Sequence, residues 1–313
     1  MTEKMATRDA YGKALLELGR QDERIVVLDA DLSGSTKTAE FAREFPHRFF
    51  NVGIAEADMM GTAAGLAAAG MIPFASTFGV FAAGRAFDQV RNSICYPRLK
   101  VNISATHTGL TVGEDGGSHQ AVEDIALMRV LPNMTVFSPA DGYQAGQIIK
   151  AAVQVQGPAY IRLGRPKVPQ VIPQDLPFEV GRGQVLREGN HLVFMATGHM
   201  VAPALEAARA LAERNIEAAV LNIHTIKPLD EELVVFLARL TKRVITVEEH
   251  SIIGGLGGAV AELLGERCPV YMKRIGIKDT FGESGTPASL LNKYGLTKEH
   301  ITKTALDFLV ETS

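Results

Sequence analysis

Short, wholly apolar runs alternate with longer stretches of helical spacing along the entire chain. Ile25-Val26-Val27-Leu28 is uninterrupted by polar residues and ends in Asp29-Ala30-Asp31, the mark of a parallel strand buried on both faces with a polar end. The same reasoning predicts strands at 49–52, 72–76, 100–105, 135–138 and 159–163. Between them, apolar residues recur every three or four positions. This predicts helices over 10–19, with Thr7 as its cap, and over 55–69, 81–93, 122–130 and 141–154. Pro166, Pro169, Pro173 and Pro177 then fall in a stretch of little periodicity. A first domain at 1–170 and a linker at 171–190 follow from that break. A second alternating series covers 191–313, opening with the apolar run 192–198, with strands at 218–223 and 243–248 and helices at 201–214 and around 230–240. Strand–helix alternation of this kind implies an α/β protein, with a parallel sheet flanked by helices in the first domain and a smaller α/β second domain.

Composition narrows the function classes. A length of 313 residues suits two domains with separate cores. A formal net charge of -3 leaves no electrostatic footprint for nucleic acid or an anionic membrane. Cys95 and Cys268 stand far apart without a metal-binding spacing, which fits a reduced, cytoplasmic protein and no metal site. The N-terminal residues lack the basic-then-apolar order of a signal peptide. The uncharged stretch 59–84 is mostly Ala and Gly and is broken by Pro73, so it reads as a buried small-residue helix followed by a strand rather than a membrane span. Small residues permit close approach, which suits a subunit interface.

The candidate chemistry concentrates at Gly113-Glu114-Asp115-Gly116-Gly117-Ser118-His119-Gln120. Glycines let backbone approach a ligand, Asp115 supplies an acceptor, and His119 supplies an imidazole able to donate or accept. His107 stands twelve residues upstream of His119. Together they form a candidate site for a hydroxylated ligand, with a plain surface turn as the alternative. Glu56, in Gly53-Ile54-Ala55-Glu56, opens the small-residue helix, where it either answers the helix dipole or shares a proton with a ring nitrogen. Phe78 and Phe81 form either core or a flat apolar wall. Gly254-Gly255-Leu256-Gly257-Gly258 is an incomplete dinucleotide fingerprint, better explained by close helix packing.

The order of GIAE, STFGVF, FDQVRNS, THTGLTVGEDGGSHQ, LPNMTVFSPAD and YIRLGRP resembles the pyrimidine-binding domain of transketolases, and TGHMV, IKPLD and VEEHSIIGGLGGAVAE resemble their C-terminal domain. The GDG signature of the diphosphate-binding domain, with its following asparagine, is absent. The resemblance is therefore to the C-terminal subunit of a split, thiamine diphosphate-dependent transketolase. It implies transfer of a two-carbon ketol group from a ketose phosphate to an aldose phosphate. It also implies an N-terminal, diphosphate-binding partner subunit that holds Mg²⁺ or Ca²⁺, self-association through the pyrimidine-binding domain, and a heterotetramer.

By the same resemblance, Glu56 meets the pyrimidine nitrogen, Phe78 and Phe81 stack on the ring, and Asp31 lies near the cofactor or caps a helix. Asp115 and His119 grip donor hydroxyls, with Glu56 and His119 as the catalytic pair. Arg8, Ser35, His107 and Arg165 hold the sugar phosphate, although Arg8 and Ser35 also suit a plain surface role. Two positions depart from the family pattern: Ala55 replaces an arginine before the glutamate, and Gly84 replaces a tyrosine. They leave open a 1-deoxyxylulose-5-phosphate synthase-like activity or a 2-oxo-acid dehydrogenase beta-type subunit. A non-catalytic regulatory subunit of this fold is the reading from another class.

Overall fold

The structure, a computed structural model, describes residues 4–312. The first domain carries strands β1 (Lys4–Ala6), β2 (Ile25–Asp29), β3 (Phe49–Asn51), β4 (Ile72–Phe78), β5 (Asn102–Thr106), β6 (Thr135–Phe137), β7 (Ala159–Arg162) and β8 (Lys167–Pro169). Its helices are α1 (Thr7–Gln21), α2 (Ser33–Thr36), α3 (Ala39–Glu44), α4 (Glu56–Ala68), α5 (Phe87–Gln89), α6 (Asp124–Arg129) and α7 (Gly142–Ala152). The second part carries β9 (Gln184–Arg187), β10 (Leu192–Ala196), β11 (Ala218–Asn222), β12 (Thr225–Lys227), β13 (Arg243–Ser251) and β14 (Tyr271–Ile277). Helices α8 (Val201–Ala212), α9 (Glu231–Thr241), α10 (Leu256–Arg267), α11 (Pro287–Lys293) and α12 (Lys298–Glu311) surround them.

Seven strands form the first sheet in the order β12-β6-β7-β5-β4-β2-β3. All neighbours are parallel except the edge strand β12, which runs antiparallel to β6. β3 lies on one side of β2 and β4 on the other, so the winding reverses there. Ligands of open parallel sheets bind beyond the carboxyl ends of strands at such a reversal. The second sheet runs β14-β13-β10-β11-β9, with β9 antiparallel. β1 pairs antiparallel with β8, which brings the start of α1 against the end of the first domain. Thr7 is the first helical residue rather than the cap; its hydroxyl accepts from the Gly164 amide at 2.7 Å instead.

The two parts share a core. One apolar cluster joins Met59, Ala75 and Ile103 of the first domain to Ile226, Val234 and Leu256 of the second. Two expectations change accordingly. The linker at 171–190 contains β9, already a strand of the second sheet, and β12 of the second part completes the edge of the first. On α4, Met59, Met60, Ala63 and Ala64 are buried in the shared core, whereas Thr62, Gly65 and Ala68 face outward. The helix thus offers small residues at its surface, not an apolar one. No helix among the described residues is long and apolar enough to cross a membrane. The GGLGG segment packs tightly: a Cβ on Gly255 would lie 2.1 Å from Glu248 Oε2. Glu248 accepts from the Leu256 and Gly257 amides at 2.7 and 2.8 Å, so a buried carboxylate closes the start of α10.

Candidate active site

Five of the candidate groups hang from the carboxyl ends of parallel strands. Asp31 follows β2, Phe78 ends β4, His107 follows β5, and Arg165 follows β7, while Glu56 opens α4 after β3. Glu56 is 1% exposed although it carries a carboxylate. Arg85 donates to its Oε2 at 2.8 Å, and the same guanidinium lies 4.4 Å over the Phe81 ring. Phe78 and Phe81 stack with planes 10° apart and centroids 6.0 Å apart. His119 stands edge-on to both rings, 5.5 Å from Phe81 and 6.3 Å from Phe78. Of the pair expected from sequence, His119 borders this aromatic wall directly and Glu56 is tied to it through Arg85.

His107 lies on the other side of that wall, its ring 3.8 Å from Phe78 and almost parallel to it. It is buried and held in a left-handed backbone conformation, with φ of 55°. Arg8 Nη1 donates to His107 Nε2 at 3.0 Å, and Nδ1 lies 2.9 Å from Thr106 Oγ1. Since arginine only donates, Nε2 must accept, which fixes the neutral ring with its proton on Nδ1. Burial, reinforced by the charges of Arg8, Arg165 and Lys37, pushes this histidine down to about 3. With both nitrogens engaged, the ring holds Arg8 in place and offers no free donor of its own.

Arg8 also donates to the Ser35 carbonyl at 3.1 Å, so Ser35 meets the cluster through its backbone. The Arg8 Nε atom is buried without a partner, a donor left for something the described residues do not provide. Arg165 donates to the Val112 carbonyl and lies 3.7 Å from both Glu114 and Asp115. The two sets that sequence separates, hydroxyl-binding and phosphate-binding, thus meet at Arg165. Asp31 stands apart. It is exposed and exchanges hydrogen bonds with Asn51, with no contact to Glu56, Phe78 or Phe81 among the described residues. The turn after β2 is closed instead by Asp29, which accepts from the Leu32 amide, Thr36 and Thr38.

Sequence reasoning misses Arg85, Lys37 and the buried charges behind the glycine-rich loop. Arg162 donates to Asp124 Oδ2 at 2.9 Å and to the Glu249 carbonyl at 2.9 Å, and Tyr160 donates to Asp124 at 2.9 Å. An arginine inside the apolar run Ala159-Tyr160-Ile161-Arg162-Leu163 was the available signal, because a strand position there demands a buried partner. No cluster of three or more His, Cys, Asp or Glu able to hold a metal occurs among the described residues.

Comparison with known proteins follows this geometry. The family "Transketolase, pyrimidine binding domain" matches residues 3–170, and "Transketolase, C-terminal domain" matches residues 181–301. A transketolase C-terminal section from Methanocaldococcus jannaschii is 49% identical over 303 residues, covering 96% of this chain and 95% of that protein. A 6-deoxy-6-sulfo-D-fructose transketolase subunit from a Clostridium species is 45% identical, covering 95% and 92% of the two chains. A solved structure described as a split-gene transketolase, an inactive β4 tetramer, is 57% identical with a TM-score of 0.91, covering 98% of this chain and 99% of that one.

Proposed function

The chain belongs to the transketolase family, and from that premise we propose that it supplies the pyrimidine-side half of a thiamine diphosphate site, active when paired with a diphosphate-binding subunit. The observation that carries the reading is a carboxylate 1% exposed at a helix start, tied through Arg85 to a wall of two stacked phenylalanines with a histidine at its edge. That donor set fits an aminopyrimidine. Glu56 would meet a ring nitrogen and Phe78 and Phe81 would flank the ring, while Arg85 keeps Glu56 from standing as an uncompensated buried charge. When bound, thiamine diphosphate supplies the electron sink for breaking a ketose carbon–carbon bond.

The remaining work is this chain's own. Glu56 shares a proton with the ring nitrogen at its carboxylate. Asp115 and His119 orient the hydroxyls of the donor, and the aromatic wall excludes water beside them. Arg8, with its unpartnered Nε, and Arg165 neutralise an anionic sugar terminus, while His107 and the Ser35 carbonyl fix the Arg8 guanidinium. One relative is named for a sugar bearing a sulfonate, also an anionic end. We assign Asp31 to the surroundings of the cofactor, reached with Asn51 at the same sheet edge. The diphosphate and its Mg²⁺ or Ca²⁺ fall to the partner. The relative solved as an inactive β4 tetramer supports self-association and inactivity of this half alone; the active assembly proposed is a heterotetramer of two copies of each subunit.

Glu56→Gln tests the reading, because it preserves shape and removes the acid. Turnover of the assembled complex drops about 10²- to 10⁴-fold with assembly intact. Normal turnover together with a lowered melting temperature would return Glu56 to a helix-dipole role.

A further inference from the structure

The glycine-rich loop is held from behind by the second domain, and we propose that Glu249 is the positioning residue for the donor-binding groups that the loop carries. The proposal rests on the reading of Asp115 and His119 as donor contacts. Glu249 sits near the end of β13, 3% exposed, and its Oε1 accepts from the Thr111 amide at 2.7 Å. Thr111 precedes Asp115 by four residues and His119 by eight, within one short turn-rich segment.

The contact is built from both sides. On the loop side, Gly109 adopts φ of 77°, and a Cβ there would lie 2.4 Å from Glu249 Oε1, so a glycine is required for the loop to seat on the carboxylate. On the second-domain side, the Glu249 carbonyl accepts from Arg162, which is locked to Asp124 at the start of α6. His199 Nδ1 lies 3.8 Å from the carboxylate, and burial pushes that ring down to about 4, so it adds no competing positive charge near neutrality. Weaker ties surround the contact: Gln120 donates to the Glu283 carbonyl at 2.9 Å, and Ser284 to the Glu114 carbonyl at 2.7 Å. A buried carboxylate on an amide is the strongest of these bonds, because it is charge-assisted and shielded from water. Exposed loops are otherwise mobile. Glu249 converts this one into a fixed platform, and the second domain thereby shapes donor binding without touching the donor.

The test uses the chain assembled with its diphosphate-binding partner. Amide hydrogen exchange of residues 108–120 and donor KM and kcat are measured for Glu249→Ala and Glu249→Gln. The alanine variant is expected to exchange faster across 108–120 and to raise donor KM about 10-fold, with kcat changed less. Glutamine retains an oxygen for the Thr111 amide and restores both readouts toward wild type. Gly109→Ala approaches the same contact from the loop side and keeps the Arg162 network intact, which covers the case that Glu249→Ala does not fold. It should reproduce the faster exchange. Unchanged exchange across 108–120, with only a lowered melting temperature, overturns the proposal. A loosened loop with unchanged donor KM supports the hold of Glu249 on the loop but overturns the donor-binding role of Asp115 and His119.

Discussion

On the proposed reading, Arg165 and His119 serve different ends of the same substrate, and their variants separate them. Arg165 is about one-third exposed and pairs loosely with Glu114 and Asp115, so those ion pairs contribute little to stability. Its main contribution is to the anionic terminus. Arg165→Ala therefore weakens phosphorylated donors by about 10- to 150-fold in kcat/KM, the worth of one charge-assisted contact, and affects hydroxypyruvate much less. His119→Ala slows both donors, because both present the same reacting ketol end. Steady-state kinetics with the two donors decide the matter; equal losses for Arg165→Ala would assign it to holding the loop through Val112 and Asp115. At this scale, sequence picks out Glu56 at a helix start, Phe78 at a strand end, His107 just past one and His119 in a glycine-rich turn as candidates, and the structure places each at such a position. Arg85 is not among them. Its meeting with Glu56 spans 29 residues, and it depends on a π-helical turn over Phe81–Arg85 where helical spacing predicts an ordinary α-helix. Such wide turns leave no periodic trace in sequence and recur at functional sites.

Among the elements, the buried strands were the most legible, because strands covered on both faces are continuous apolar runs. β2 follows that rule most closely; β4, β5 and β7 carry Ser, Thr, Asn or Arg within them, yet each is buried throughout. The edges were not legible. β9 buries only Gln184 among its four residues, and β14 carries Lys273 and Arg274 in its less buried half. β12 is three residues long and joins a sheet built almost wholly from the first domain, so no local pattern could announce its partner. The glycine-rich loop was recognised by composition, whereas its anchoring was not. The bond from Thr111 to Glu249 spans 138 residues, and VEEH reads locally as an acidic strand end. Buried acids in a strand carry information only about having a partner, not about which one.

The whole molecule should lose stability in acid, and its histidines set the window. His199, His224 and His250 are each pushed down to about 4 by burial, and His107 to about 3, against an ordinary value of 6.5. Their folded values lie below the unfolded one, so protons bind the unfolded chain first. Stability is fully present above pH 6.5 and is lost as pH falls toward 4. Glu248 acts in the opposite sense: burial raises it from 4.5 to about 7, so its contribution grows as pH falls from 7 to 4.5. Glu249 and Asp29, also raised by burial, act with it. Between pH 6.5 and 4.5 the four histidines oppose Glu248 and the raised carboxyls, and each net proton is worth about 1.4 kcal/mol per pH unit. Melting temperature should therefore fall as pH drops from 6.5 to 4.5, and a flat or rising profile would count against the buried neutral histidines.

Assembly belongs to the same scale, and it carries the central claim that half of a cofactor site resides in this chain. On the proposed reading, Glu56 and the Phe78–Phe81 wall serve a pyrimidine ring, and the diphosphate with its metal belongs to the partner. Isothermal titration of thiamine diphosphate with Mg²⁺ tests this directly, into the isolated chain and into its mixture with the diphosphate-binding subunit. Tight binding is predicted in the mixture, with weak or no binding to the isolated chain. Binding to the isolated chain as tight and Mg²⁺-dependent as in the mixture would contradict the account.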